Sequence, residues 1–451
     1  MRKELKELAD KLYVVMLLMV PSLFIVSPIM QMIARYIDYN YTTYNDSWVL
    51  GENYRYDKSQ FSNCYRDMID SVNSVGIKIA CVILIYCIVR AYKTKKIDIK
   101  WLKPMLIFLI FDMVIIAVTL IRGMGPYDRY GHSYMGESVF SYLSYPVVYF
   151  FTGMLICKEK YRKYLLYMFM FTGSVVNAIS LYSEWGKTIK YFEYDTANCS
   201  VFHNTNHYGY YIAMTLIATA LLFLYEKKMW LRLYEYFAFI IGAYILIINN
   251  TLGAWLAVMF SLFCAAVYLW RNRNEDRYRN MWKWAVFEIG YILILTVGMS
   301  FSYDTILSSI LKLFFDVGSI ASGSESAGSA GSGRWRLWTG TVRNLVKNPI
   351  LGFGVEGLLS KGVGTPHNEI LQYAAFFGVI TAALYIAACT VVLKRVGLKL
   401  KKVSVTTWIF FFITVTYLVS SMVGVAIYYT TPFLYIFLGL TYGGYKESVD
   451  F

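Results

Sequence analysis

The chain has 451 residues, of which 57% are hydrophobic and 18% aromatic, well beyond what a water-soluble fold carries. A wholly soluble protein is therefore excluded. The net charge of +14 does not make the chain a nucleic-acid binder, because Lys and Arg fall in short clusters between apolar runs of about 20 residues.

Taken in chain order, the apolar runs predict an all-α polytopic membrane protein of about twelve spans. They lie at 12–33, 71–92, 101–121, 138–157, 165–183, 207–225, 233–249, 251–270, 283–303, 368–393, 407–423 and 431–445. The first run is too long for a signal peptide and lacks a small-residue cleavage site, so it reads as a true span. A tyrosine-rich segment, 34–70, follows; it reads as a sugar-binding surface or as a covering loop. Lys78 and Asp112 sit inside apolar runs, where a charge is costly and invites a functional reading, although Lys78 can also snorkel outward. Cys81, Cys87, Cys157, Cys264 and Cys389 lie in apolar runs and read as small hydrophobes. Cys64 and Cys199 lie in polar segments, and an oxidising compartment would allow them to pair.

Twelve spans put both termini on one side. The loops on that side, with the termini, carry about twice as many Lys and Arg as the other side, which makes them cytoplasmic. The long loops 34–70, 122–137, 184–206 and 304–367 are then extracytoplasmic, and they hold all four histidines, His132, His203, His207 and His367. Long loops with functional side chains on one face predict chemistry on that face. His203 and His207 have a helical metal-ligand spacing, but no Glu between them and no third ligand, so neither a metal nor any cofactor is expected. Asn204 and Asn206 are candidates for sugar contact or for capping the span that follows.

Loop 304–367 is the largest. It contains a Gly/Ser/Ala stretch, 321–333, which predicts a flexible tether. Next come Gly333, Arg334, Trp335, Arg336, Leu337 and Trp338. Arg334, Leu337, Trp338, Thr341 and Leu345 share a helical face, which predicts an amphipathic interfacial helix over 334–347, stopped at Pro349. A glycine-rich turn (Gly352, Gly354, Gly357) leads to Pro366, His367, Asn368 and Glu369 at the mouth of the next span. Arg334 and Arg336 can grip phosphate or simply anchor a helix to lipid headgroups, with the tryptophans in the aromatic belt.

The whole string, Gly333-Arg334-x3-Trp338, then Pro349-Ile350-Leu351-Gly352-Phe353-Gly354, then His367-Asn368-x2-Leu371-Gln372 and Gly378, resembles the signature of the O-antigen ligase and O-antigen polymerase superfamily of bacterial envelope glycosyltransferases. Residues 202–209 and the hairpin 249–257 resemble further parts of that family, so the likeness spans roughly 200–390. It divides the chain into N-terminal helices (1–200), a ligase/polymerase-like core (201–393) and C-terminal helices (394–451). The resemblance implies a C-type-glycosyltransferase-like bundle in the plasma (inner) membrane. Such an enzyme moves a glycan from an undecaprenyl-pyrophosphate donor to a glycan acceptor without a metal. His367 is the implied general base; Arg334, Arg336, Asn368, Gln372, Asn206, His207 and Arg122 are the implied substrate-binding residues. Membrane lipids, a chain-length regulator and a flippase are the implied partners, with no nucleic acid.

One departure bears on the subtype. The ligases carry an arginine in a Ser-Arg-Gly-like hairpin turn, where this chain has Thr251-Leu252-Gly253. Arg122, Lys187, Lys190 or Arg336 would have to replace it, and its absence favours a polymerase over a ligase. A twelve-span transporter or flippase and a purely structural scaffold are the alternatives outside the enzyme class.

Overall fold

The computed structural model describes residues 2–49, 89, 103–125, 128–129, 138–186, 196–202, 204–276, 278–301, 306–324, 328–357, 365–427 and 429–449. All regular structure among them is helical. The helices are α1 (Arg2–Val49), α2 (Lys103–Arg122), α3 (Val139–Leu155), α4 (Glu159–Glu184), α5 (Thr205–Tyr225), α6 (Met229–Asn249) and α7 (Leu252–Arg271). They continue with α8 (Met281–Met299), α9 (Ile306–Ser322), α10 (Arg334–Leu345), α11 (Glu369–Phe377), α12 (Val379–Gly397), α13 (Val405–Ser421) and α14 (Thr431–Val449). Single helical turns lie at Thr196–Cys199 and Gly354–Gly357.

Among the described residues, 8 helices are long and apolar enough to cross a membrane, and α3 and α13 are shorter apolar helices. Their outer faces fit lipid. On α2, Met105, Phe108, Phe111, Ile115 and Val118 are buried, while Leu106, Leu109, Ile110, Met113 and Leu120 are exposed. The exposed set would be an aggregation patch in water; against acyl chains it is an ordinary surface. The protein is a polytopic α-helical membrane protein.

Helix α5 runs through the middle. Its residues from His207 to Leu224 are all buried, enclosed by α4, α6, α7 and α13. An apolar helix with no polar face is what such a position requires. Helices α3 and α14 lie against each other through small residues: Gly439 backs onto the Thr152 hydroxyl and Gly443 onto the Gly153 carbonyl. Small residues four apart let two helix backbones approach closely. At the opposite end from the α5 N-terminus, the fully buried Arg162 of α4 pairs with Glu447 of α14 at 2.7 Å.

Most predicted spans are present with ends shifted by a few residues, and three regions differ. Helix α1 continues through Val49, beyond the predicted end at 33, into the segment read as a loop. The loop 304–367 contains a helix, α9, where none was expected. Part of the predicted tether is folded: 328–333 forms successive turns, and the Gly331 N–H donates to Asp316 Oδ2 at 2.8 Å. The predicted single span 368–393 is instead two helices, α11 and α12, broken at Gly378. The expected span 71–92 with Lys78, and Lys187, Lys190, His132, His203 and Cys64, lie outside the described residues, apart from the helical Val89.

Candidate functional site

The break at Gly378 organises this end of the molecule. Gly378 has φ 88° and ψ 163°, a region open essentially to glycine alone. A Cβ there would lie 1.8 Å from the Ile350 carbonyl oxygen. The chain uses that closeness: Val379 N–H donates to Pro349 O at 2.8 Å, and Phe353 N–H to Ala375 O at 2.7 Å. The Pro349–Gly354 motif is thus a clasp around the helix break. Glu369 and Tyr385 then meet at 2.9 Å although they are 16 residues apart. A continuous helix would separate them by about 24 Å, so α11 folds back beside α12. His367 accordingly sits at the foot of a short helix and not at the mouth of a membrane span.

Arg122 belongs to the same clasp. Its Nη1 donates to Leu351 O at 3.2 Å and Phe376 O at 3.0 Å, and its Nη2 pairs with both oxygens of Asp128, at 3.1 and 3.2 Å. Asp128 in turn accepts from Gly125 N–H and Val355 N–H. A guanidinium so engaged has little left for a pyrophosphate, and the structure gives Arg122 an internal role in place of the expected substrate contact.

Arg334, Asn206 and His367 do come together. Asn204 Oδ1 caps α5 by accepting from Asn206 N–H at 2.8 Å, the capping role that its position suggested. The cap leaves the Asn206 side chain to accept from Arg334 Nη2 at 3.4 Å. Arg334 also donates to Gly331 O at 3.2 Å, while its Nε is buried without a hydrogen-bond partner. A buried donor left open is rare and awaits an acceptor. Burial lowers the guanidinium from its ordinary value, with Tyr210 nearby opposing that shift.

His367 has φ 46°, a left-handed conformation that a side-chain-bearing residue adopts only when its surroundings impose it. Burial, and then the Arg334 cation, hold its imidazole below the ordinary value. It is therefore neutral at neutral pH and able to accept a proton. His207 is buried, one residue on from Asn206, with its ring stacked 5.8 Å from that of Tyr429. Arg336 and Trp335 are exposed on α10. The Trp338 indole N–H is buried with no partner.

Asn368 and Gln372 hold the scaffold. Asn368 caps α11 by accepting from Leu371 N–H at 3.0 Å, and its Nδ2 donates to Met422 O at 2.9 Å. Gln372 exchanges two bonds with the Ala426 backbone, at 3.1 and 2.8 Å, and donates to the Tyr142 hydroxyl at 2.9 Å. Both amides are spent on positioning α11 against segment 422–426, which forms a wall of the site.

Two residues of the site were not singled out in the sequence. Glu369 is fully buried at the first position of α11, where the helix dipole favours a carboxylate, and it accepts from the hydroxyls of Tyr385 and Tyr417. Tyr210 lies one helical turn below Asn206 on the same face of α5. Its ring is 5.2 Å from that of Tyr417, its hydroxyl is buried with no partner, and it abuts Gly424 so closely that a Cβ there would lie 2.0 Å from the oxygen. A turn-spaced Asn206/Tyr210 pair at the start of a largely apolar helix was the available signal; forty-one tyrosines in the chain masked it.

The hairpin turn that lacks an arginine packs beside the same helix end. Asn249 Nδ2 donates to Asn198 O at 2.8 Å and Thr205 O at 2.9 Å, and the Thr251 hydroxyl donates to Thr205 O at 3.3 Å. Here the turn fastens α5 and brings no cation to the site. The arrangement combines a buried cation with an open donor, a neutral imidazole and a buried phenol, at one end of a membrane bundle. It can hold an anion and take a proton from a nearby hydroxyl.

Residues 237–386 match the O-antigen ligase family model. The matched stretch contains Arg334, Arg336, His367, Asn368, Glu369 and Gln372, with the clasp between them, and begins after Asn206, His207 and Tyr210. Over that stretch the chain is similar to the O-antigen ligase and polymerase superfamily. No curated protein matches the chain.

Proposed function

We infer that this chain is a membrane glycosyltransferase of the O-antigen ligase and polymerase type, and that it polymerises lipid-linked oligosaccharide repeat units into a surface polysaccharide. The observation that carries this reading is the junction of Arg334 and Asn206, 128 residues apart, beside a His367 that feels the Arg334 charge. The donor is a glycan on undecaprenyl pyrophosphate. Arg334 holds its phosphate oxygens and stabilises the charge that grows as the anomeric C–O bond breaks. Neutral His367 takes the proton of an acceptor hydroxyl as that oxygen bonds to the anomeric carbon, and lipid pyrophosphate departs. Arg336, exposed on the same helix, meets the donor or the membrane surface before the donor is bound.

The excess of Lys and Arg in the loops assigned to the opposite side supports a site on the outer face of the plasma membrane, with both termini cytoplasmic. The absence of a hairpin arginine, with Arg122 committed to Asp128, favours a polymerase. A ligase that passes the glycan to a lipid, protein or wall polymer is the second reading. A flippase supplying the donor and a chain-length regulator are the partners a polymerase would have.

The experiment is a gel of surface polysaccharide from cells lacking the gene, complemented with wild type, His367→Ala or Arg334→Ala at matched protein levels. A ladder restored only by wild type, with single repeat units accumulating in both variants, supports the polymerase. Long chains retained on the lipid carrier mean a ligase. Full activity of both variants overturns the glycosyltransferase reading.

A further inference from the structure

Helix α9 has no part in the reading above, and it leaves a broad apolar face uncovered. Leu311, Leu313, Phe314, Phe315 and Val317 are all exposed, Phe315 by 78%. Ser309, Lys312, Asp316 and Ser319 form one stripe, spaced three and four apart. Asp316 is half-buried and accepts the Gly331 N–H at 2.8 Å, Ser309 and Ser319 are also half-buried, and Lys312 at the edge of the stripe is exposed. Ile306 and Ile310 pack inward, but the larger apolar side chains do not, as they would on the surface of a water-soluble protein.

The apolar face also continues a surface that already meets lipid. On α8, Ile294 is 75% exposed and Val297 is exposed, and Phe301 just beyond is exposed by 86%. Helix α9 starts against α7 and α8, with Ile306 buried in that contact. A helix with a broad apolar face, joined directly to a span's lipid surface, fits the boundary between headgroups and acyl chains.

We propose that α9 lies in the plane of the membrane with Phe314 and Phe315 in the acyl region of the nearer leaflet, and that through Asp316 and the turn 328–333 it sets the height of Arg334. The seating stands on exposure and amphipathicity alone; the effect on Arg334 rests on the proposed function. Water, or a second copy of the chain, would be the other occupants of this face.

The test uses the full chain in lipid nanodiscs, with trifluoromethylphenylalanine at Phe315 and, separately, at Lys312. Fluorine relaxation is read with dissolved oxygen, which concentrates among acyl chains, and with a water-soluble nickel chelate. The oxygen-to-nickel ratio is expected to be several-fold higher at 315 than at 312. Equal ratios, or a position 315 reached by neither reagent, overturn the seating. The link to Arg334 is read by transfer kinetics: Asp316→Ala is expected to raise KM for the lipid-linked donor several-fold, and Asp316→Asn, which keeps an acceptor oxygen, to restore it. Equal KM values in wild type and Asp316→Ala, or no rescue by Asp316→Asn, overturn the link. The fluorine result holds whether or not the chain transfers glycans.

Discussion

His367 combines two properties that bear on one another: a strained left-handed backbone and an imidazole held below its ordinary value of 6.5 by burial and Arg334. A base with a lowered pKa keeps its neutral form as pH falls toward that pKa. Transfer activity is therefore expected to be flat through neutral pH, with an acid limb whose midpoint lies below 6.5. Arg334→Gln removes the cation, so the limb should move to higher pH in the residual activity; an unmoved limb would mean that another group titrates. His367→Ala should lower kcat by about 10²–10⁴-fold. Tyr210→Phe keeps the ring against Tyr417 and removes only the open hydroxyl. If that hydroxyl meets the donor, the variant loses activity by about tenfold, the worth of one neutral hydrogen bond, with an unchanged melting temperature. At this scale the sequence was only partly legible. Arg334 and His367 stand out only as parts of the string that resembles the ligase and polymerase signature. Arg122, Asn368 and Gln372 look equally functional in a string of letters, yet each also bonds a group far away in sequence: Leu351 and Phe376, Met422, and Ala426. No local pattern encodes those partners.

Between elements, the break at Gly378 carries most of the geometry. A side chain at 378 meets both a forbidden backbone region and the Ile350 carbonyl. Gly378→Ala is expected to cost about 1–3 kcal/mol for the backbone alone, and more for the lost clasp bond between Val379 and Pro349. Thermal unfolding in detergent checks this, and a variant as stable as wild type would contradict the clasp. Hydropathy could not reveal the fold-back, because the run from Tyr373 to Leu393 is almost wholly apolar and periodicity reads it as one long span. The glycines of the Pro349–Gly354 motif were visible as a turn; that the turn grips another helix's break is a long-range fact. Helix α9 was missed for a related reason, since Gly/Ser content just downstream made the region look like a tether.

For the whole molecule, the helical, membrane-spanning class was legible because solvent decides it: every buried backbone group in lipid needs an internal partner, so each apolar run must be helical. Closure of the bundle was not. The Arg162–Glu447 pair joins α4 to the last helix, with Arg162 fully buried. Glu447→Ala leaves that cation without its carboxylate and should destabilise by about 3–5 kcal/mol, read as a lowered melting temperature with loss of α14 protection in hydrogen exchange. Half-buried Asp112 of α2 and buried Glu288 of α8, carboxyls with unpartnered oxygens, are the features a transporter would use. Under the glycosyltransferase reading, Asp112→Asn and Glu288→Gln leave polysaccharide length unchanged. Loss of all surface glycan in both would favour the transporter.

The fold-back of α11 has one more consequence, which concerns water. Tyr385 lies about 9 Å along α12 from its start at Val379, and Glu369 reaches it from the foot of α11. His367, two residues before Glu369, therefore lies below the level of Gly378 and the clasp. A glycosyl pyrophosphate is as open to attack by water as by a sugar hydroxyl, and water is vastly more abundant. Under the proposed function, holding the reacting bond below that level would shield it from water while a sugar hydroxyl reaches it. The glycine at 378 would thus decide, under the proposed function, whether a glycosyl pyrophosphate ends in transfer or is lost to hydrolysis.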